Sequence, residues 1–224
     1  MSPEADSSFM KGPMTRSPSL CGVILAAGSS SRMGSDKSLL PWPPGAAASL
    51  RNTFLGSHIA ALNPHCDLVI VVAGANEQQI APVVYSQGAF LIRNNAPELG
   101  QFSSLKLALQ DVLNRGRDSA IVALVDRPPV QPATLASLHE AFLESSEQDA
   151  WGVVPEYDGQ HGHPYFAGRD LIEAFLRAQL TTTARDIMHS VASHLRYIPV
   201  DDPHVSLNVN TPEDYAQLRQ VTSE

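Results

Sequence analysis

Three short runs of small and branched apolar residues constrain this chain more than any other feature: Cys21 to Ala27, Leu68 to Ala73 and Ala120 to Val125. None alternates with polar residues, so none can turn one face to water. Each reads as a strand covered on both faces, the condition of a parallel sheet flanked by helices. Helical periodicity fills the intervals. Asn52 to Leu62 places Phe54, Leu55, His58, Ile59 and Leu62 on one face, and Asn63-Pro64 ends it. A weaker helix near Glu77 to Tyr85 and a short strand around Ala89 to Ile92 follow. Next come a helix from Phe102 to Asn114 that turns Leu105, Leu109, Val112 and Leu113 inward, a helix from Pro132 to Leu143 and a strand from Trp151 to Pro155. This alternation predicts an α/β fold with a doubly wound, mostly parallel sheet.

The last third is less regular. It predicts a strand at Pro164 to Ala167, helices at Asp170 to Ala178 and Ala184 to Val191, and a strand at Leu195 to Val200. Val205 to Val209 leads into Thr211-Pro212-Glu213-Asp214, where Thr211 caps a helix, Pro212 fits its first turn and Asp214 reaches back as a capping-box acid.

A chain of 224 residues is within reach of a single α/β domain, expected here over residues 21–224. The Ser-, Pro- and Met-rich residues 1–20 lack the apolar stretch of a secretory signal and are expected to be a disordered leader. No apolar run approaches the roughly 20 residues needed to cross a bilayer, so no membrane partner is expected. The net charge of -8 argues against a general grip on nucleic acid. Cys21 and Cys66 form neither a CxxC pair nor a zinc cluster, which fits a reducing, cytoplasmic setting.

The chemistry concentrates after the first run, in Leu25-Ala26-Ala27-Gly28-Ser29-Ser30-Ser31-Arg32-Met33-Gly34-Ser35-Asp36-Lys37. Small residues let several N–H groups point at one anion, with Arg32 and Lys37 supplying full charges beside them. A flexible Ser/Gly turn with two solvated cations is the plain alternative. The Walker A loop does not fit, because five residues separate Gly28 from Gly34 and Lys37 comes three later. The Rossmann fingerprint does not fit either, since three serines follow Gly28.

The string from Leu25 to Leu40 resembles the signature loop of the nucleotidyltransferases that act on molybdenum cofactor, first the cytidylyltransferases and next the guanylyltransferases. That resemblance implies a Rossmann-like nucleotidyltransferase fold of the nucleotide-diphospho-sugar transferase type. It also implies magnesium-dependent transfer from a nucleoside triphosphate to the terminal phosphate of molybdopterin, with a molybdoenzyme or its chaperone as a downstream partner. It assigns nucleotide contacts to Leu25, Ala26, Ala27, Gly28, Ser29, Ser30, Ser31, Arg32 and Lys37, with Arg32, Lys37 and Asp126 in catalytic roles.

Asp126-Arg127-Pro128 resembles the family's Asp-x-Pro, whose carboxylate holds the metal, although by itself Asp126 equally suits a turn cap. Asn208-Val209-Asn210 before Thr211-Pro212 resembles the closing motif and makes Asn210 the second metal ligand, with Asn208 beside the substrate. Strand alternation would put both amides on one face. Gly100-Gln101-Phe102-Ser103-Ser104 resembles a helix start near the nucleotide, where Ser104 either contacts the ligand or caps the helix. Gly162-His163-Pro164 and, with Thr in place of Gly, Thr183-Ala184-Arg185 resemble acceptor-side motifs, giving His163 and Arg185, although a lone histidine also suits a structural place and Arg185 equally suits a solvated helix face. Ala26-Ala27-Gly28 favours CTP, whereas the two asparagines pull toward GTP. Other readings are a transferase for a sugar phosphate or an isoprenoid-precursor phosphate, and a chaperone that binds nucleotide or cofactor without turnover.

Overall fold

The computed structural model describes residues 19–28, 33–145 and 149–221. Its strands are β1 (Leu20–Leu25), β2 (Leu68–Ala73), β3 (Phe90–Arg93), β4 (Ser119–Leu124), β5 (Gly152–Tyr157), β6 (Gln160–His161), β7 (Tyr165–Ala167) and β8 (Leu195–Pro199). Its helices are α1 (Phe54–Leu62), α2 (Glu77–Ser86), α3 (Gln101–Asn114), α4 (Pro132–Ser145), α5 (Arg169–Arg177), α6 (Ala184–Ser190) and α7 (Pro212–Val221). The sheet runs β3-β2-β1-β4-β7-β5-β6, with β8 pairing β5. β1 to β4 are mutually parallel, as the apolar runs of β1, β2 and β4 predict. β7 runs antiparallel to both β4 and β5.

Alternation sorts each buried strand between two cores. Cys21, Val23 and Leu25 join Val122 and Leu124 under α3 and α5, while Ile24, Ile121 and Ala123 meet α1, α2 and α4 on the opposite face. Phe54, Leu55, His58, Ile59 and Leu62 are all buried, confirming the predicted face of α1. Thr53 caps that helix by accepting from Gly56 N–H at 2.9 Å. Fully burying an aromatic such as Phe54 contributes roughly 2–3 kcal/mol.

Two expectations need correction. Leu20 lies in β1, so the strand starts one residue before the expected Cys21, while residues 1–18 of the expected leader lie outside the described residues. Residues 205–209 form no strand: a 3-10 turn covers Pro203–Val205 and the backbone then runs unpaired by any sheet. Val209 is buried while Asn208 is exposed, so packing of one valine, rather than strand alternation, orients this segment. Among the described residues no helix is long and apolar enough to cross a membrane.

Candidate active site

The chain order places β2 and β3 on one side of β1 and β4 on the other. The carboxyl ends of β1 and β4 therefore flank the point where the winding reverses, which is where open α/β sheets collect ligands. Backbone bonds carry the ladder slightly past the strands: Ala26 N–H donates to Val72 O at 2.9 Å, and Val125 N–H donates to Leu25 O at 3.2 Å. Ala26 thus spends its amide on the sheet and buries its methyl group, which leaves Ala27 and Gly28 to open the bend. Both line a cleft of about 840 Å³ that also takes in Gly34, Ser35, Asp36 and Asn76. Ser29, Ser30, Ser31 and Arg32 lie outside the described residues.

Asn76 braces the far side of the bend. Its amide donates to Ala26 O at 2.9 Å and to Asp36 Oδ2 at 2.6 Å, while its Oδ1 accepts from Gly74 N–H. Asp36 in turn caps the 3-10 turn Lys37–Leu39 through Ser38 N–H at 2.8 Å. Lys37 leaves this pinned turn and reaches Asn210 Oδ1 at 2.9 Å.

The Asp126 turn is fixed from three directions. Asp126 O accepts from Val209 N–H at 2.7 Å, Arg127 O accepts from His58 Nε2 at 2.9 Å, and Arg127 Nη1 donates to Val205 O at 2.6 Å. Burial pushes the His58 imidazole down to about 4, so it is neutral at physiological pH and its N–H remains available to that carbonyl. Asp126 Oδ1 is shielded from water and has no hydrogen-bond partner among the described residues. The turn-cap reading gives this oxygen nothing to accept, and an unmet buried carboxylate oxygen is costly.

Asp214 meets the helix-capping expectation: its Oδ2 accepts from Asn210 N–H at 2.8 Å and Thr211 N–H at 2.9 Å. These bonds hold its carboxyl below the ordinary carboxylate range. Asn210 is thereby fixed at its backbone and held near Lys37 by its side chain, whereas Asn208 is exposed.

Leu25, Ala27, Gly28, Gly100, Gln101 and Ser104 share a cavity of about 90 Å³ beside the bend. Gly100 precedes α3 with φ of 91°, in the left-handed region that favours glycine. Ser104 is no helix cap. It is buried in the first turn of α3, where its hydroxyl accepts from Asn94 Nδ2 at 2.9 Å. His163 and Arg185 come together around a neighbouring cavity of about 350 Å³, which reaches Leu25 and Gly100. Arg185 stands exposed on α6, whose Thr183 forms a full capping box with Asp186. His163 is half-buried; desolvation first and the Arg127 charge second lower its imidazole to about 3, so it is neutral.

Several residues in this region escape sequence reading. Asn76, Asn94 and Asp202 look like ordinary loop or strand residues, and only contacts with distant segments reveal their roles. Arg127 occupied the variable place of Asp-x-Pro, where no residue type was expected.

The MobA-like NTP transferase domain matches residues 22–198. A probable molybdenum cofactor guanylyltransferase of Rhodopirellula baltica is 35% identical over 90% of this chain and 92% of that protein. The molybdenum cofactor cytidylyltransferase of Escherichia coli is 24% identical over 90% and 96%. The crystal structure of Rv0371c from Mycobacterium tuberculosis superposes with a TM-score of 0.75 at 27% identity, over 92% of this chain and 99% of that one. A structure of Rv0371c in complex with manganese gives 0.68 at 25% identity, over 90% and 98%. With a domain match across most of its length and a bend, lysine and carboxylate gathered at the sheet's switch point, the chain belongs to the MobA-like NTP transferase family and is a nucleotidyltransferase.

Proposed function

We propose that this protein transfers a cytidylyl group from CTP to the terminal phosphate of molybdopterin and releases pyrophosphate. The observation that carries this reading is the unpartnered Oδ1 of Asp126, whose backbone carbonyl accepts from Val209 N–H, one residue before the Asn210 side chain that accepts from the Lys37 ammonium. An acceptor phosphate monoester is already a nucleophile at neutral pH, so the protein needs no general base. Its work is positioning and charge neutralisation.

Amides of the bend from Ala27 onward hold the triphosphate, and Arg32 binds the departing β- and γ-phosphates. Lys37 stabilises the charge that grows on the α-phosphate. Asn210 keeps that ammonium in place without neutralising it, because an amide carries no charge. Asp126 and Asn210 are the residues that would hold magnesium. The orphaned Asp126 oxygen suits a hard cation, and magnesium commonly takes one or two carboxylates and completes its shell with phosphate and water. When bound it would supply positive charge that offsets the negative charge of the nucleotide's phosphates. That Rv0371c, a structural relative, is found in complex with manganese supports binding of a divalent ion.

Preference for CTP rests on Ala26-Ala27-Gly28, which resembles the cytidylyl branch, where the guanylyl branch carries Ala-Gly-Gly and leaves room for the bulkier purine. The Rhodopirellula relative and the Asn208/Asn210 pair favour the second reading, GTP. Pyrophosphate release with molybdopterin, CTP or GTP, with and without magnesium, separates them. Higher kcat/KM with CTP is expected; higher kcat/KM with GTP assigns guanylyl transfer, and turnover with neither removes the acceptor assignment.

A further inference from the structure

We infer that Arg127 is a positioning residue for the metal-holding pair: through the carbonyl of Val205, its guanidinium fixes the segment that delivers Asn210 and the backbone of His163 relative to Asp126. The inference deepens the proposed function and rests on the roles given there to Asp126 and Asn210.

Residues 205–209 belong to no strand, so the sheet does not set their place. Two adjacent residues of the Asp126 turn grip them at both ends instead. Asp126 O accepts from Val209 N–H at 2.7 Å, one residue before Asn210, and Arg127 Nη1 donates to Val205 O at 2.6 Å. The same carbonyl accepts from His163 N–H at 2.9 Å, so one oxygen gathers the Asp126 turn and the 162–163 backbone. Gly162 permits that approach. A Cβ there would stand 2.1 Å from Val205 O and 2.5 Å from its carbonyl carbon, closer than any side chain tolerates. Val205 is fully buried, so water cannot replace a donor that is lost.

Arginine is a costly residue for a simple tie. The side chain is half-buried, its Nε is shielded from water without a hydrogen-bond partner, and no carboxylate forms a salt bridge with it among the described residues. Burial pulls its pKa below the ordinary arginine value. Two properties offset that cost. The guanidinium is long enough to cross from residue 127 to the Val205 carbonyl, and its planar fork holds the donor in one direction. A charge-assisted bond to that oxygen is also about twice as strong as one from a neutral amide. Both properties serve rigidity, which a two-residue metal site needs when its members come from segments about 80 positions apart.

The test compares the full chain with Arg127→Lys, whose ammonium keeps the charge but ends short of the guanidinium nitrogens, and with Arg127→Met, which removes charge and donor. Hydrogen exchange reads the positioning without any ligand. In both variants, peptides covering residues 203–211 and 161–165 should exchange about tenfold faster together, while those of α1 hold the parental rate. Manganese is the metal probe, titrated with CTP present and read by electron paramagnetic resonance against CTP alone. Arg127→Lys should bind it about tenfold more weakly, and because charge is conserved the loss reports geometry. Added to Asn210→Ala, Arg127→Lys should weaken manganese binding no further, since it acts through that residue. In turnover, the magnesium needed for half-maximal rate should rise by a similar factor, with KM for CTP at saturating magnesium within about twofold. Unchanged exchange, loosening confined to one of the two segments, or loosened segments with parental manganese affinity overturns the inference. Failure of the proposed metal site reads differently: the parent itself then binds no manganese beyond that taken by CTP, while exchange in the variants still rises.

Discussion

Lys37 Nζ donates to Asn210 Oδ1 at 2.9 Å, joining residues 173 positions apart. The partner's chemistry matters as much as the contact. An aspartate at 210 would set a carboxylate against the ammonium, whereas the amide holds it without adding a charge of its own. Lys37→Ala should therefore fold normally, since the side chain is only half-buried, and lose on the order of 100-fold or more in kcat. Pyrophosphate release and thermal melting measure the two effects, and a Lys37→Ala enzyme of near-parental rate removes the role. Asn210→Asp should lower the magnesium concentration needed for half-maximal turnover, because a carboxylate binds a hard cation more tightly than an amide does, and should also lower kcat, because that carboxylate partly offsets the Lys37 charge.

Asp126 sets stability against activity. Its Oδ1 is shielded and unmet, while the turn around it is held by bonds to the backbone of residues 126 and 127 and by the Arg127 side chain, none of which uses the carboxylate. Asp126→Asn should consequently melt no lower than the parent and still lose about 100-fold or more in magnesium-dependent turnover. A clear fall in melting temperature would instead make the carboxylate a structural part of the turn.

The parallel half of the fold was legible because β1, β2 and β4 are apolar on both faces, and only a sheet covered by helices satisfies such runs. The α1 face was legible for the same kind of reason, with spacing of Phe54, Leu55, His58, Ile59 and Leu62 fixing which side turns inward. β7 offered no such signal. Tyr165–Ala167 is three residues long, and nothing local says that it inserts antiparallel between β4 and β5. The site divides similarly. Gly28, Lys37 and Asp126 sit at strand ends or in a loop whose composition suits an anion, so sequence could nominate them. The pairing of Lys37 with Asn210, the bracing by Asn76 and the tie of Arg127 to Val205 are properties of tertiary packing. Ser104 looked equally suited to capping, and only its place beyond the Gly100 cap decided the matter.

Acid should loosen the molecule well before its carboxylates titrate. His58 and His163 are lowered from 6.5 to about 4 and about 3, so between those values the unfolded chain binds more protons than the folded one. Stability is therefore fully present above about pH 6.5 and falls as pH drops through that window. His58 alone, 6% exposed, accounts for up to about 3 kcal/mol by pH 4. Asp214, whose carboxyl is also lowered, adds to the loss only below its ordinary value of 3.8. Urea midpoints at pH 7.5 and 5 should show the decline, and His58→Gln, which keeps an N–H for Arg127 O, should flatten it. An unchanged slope in that variant would move the effect to other groups.

Asp202 supports the site from beneath. It is fully buried, and its Oδ2 accepts from Gln131 N–H at 2.7 Å and Thr134 Oγ1 at 2.8 Å, while Oδ1 accepts from His204 N–H at 3.0 Å. His204 Nδ1 in turn lies 2.9 Å from Pro129 O, so the loop that follows Asp126 and the segment that carries Asn210 are clamped on one carboxylate. Asp202→Ala removes the acceptor of three donors, of which that of Thr134 is buried, and should cost about 1–3 kcal/mol, read as a lower urea midpoint. Asp202→Asn keeps the shape and one accepting oxygen, and should recover part of that loss. Because the clamp fixes Asn210 relative to Asp126, the asparagine variant should need more magnesium for half-maximal turnover while its KM for the nucleotide changes little. A variant that loses stability but keeps the parental magnesium requirement would confine Asp202 to folding.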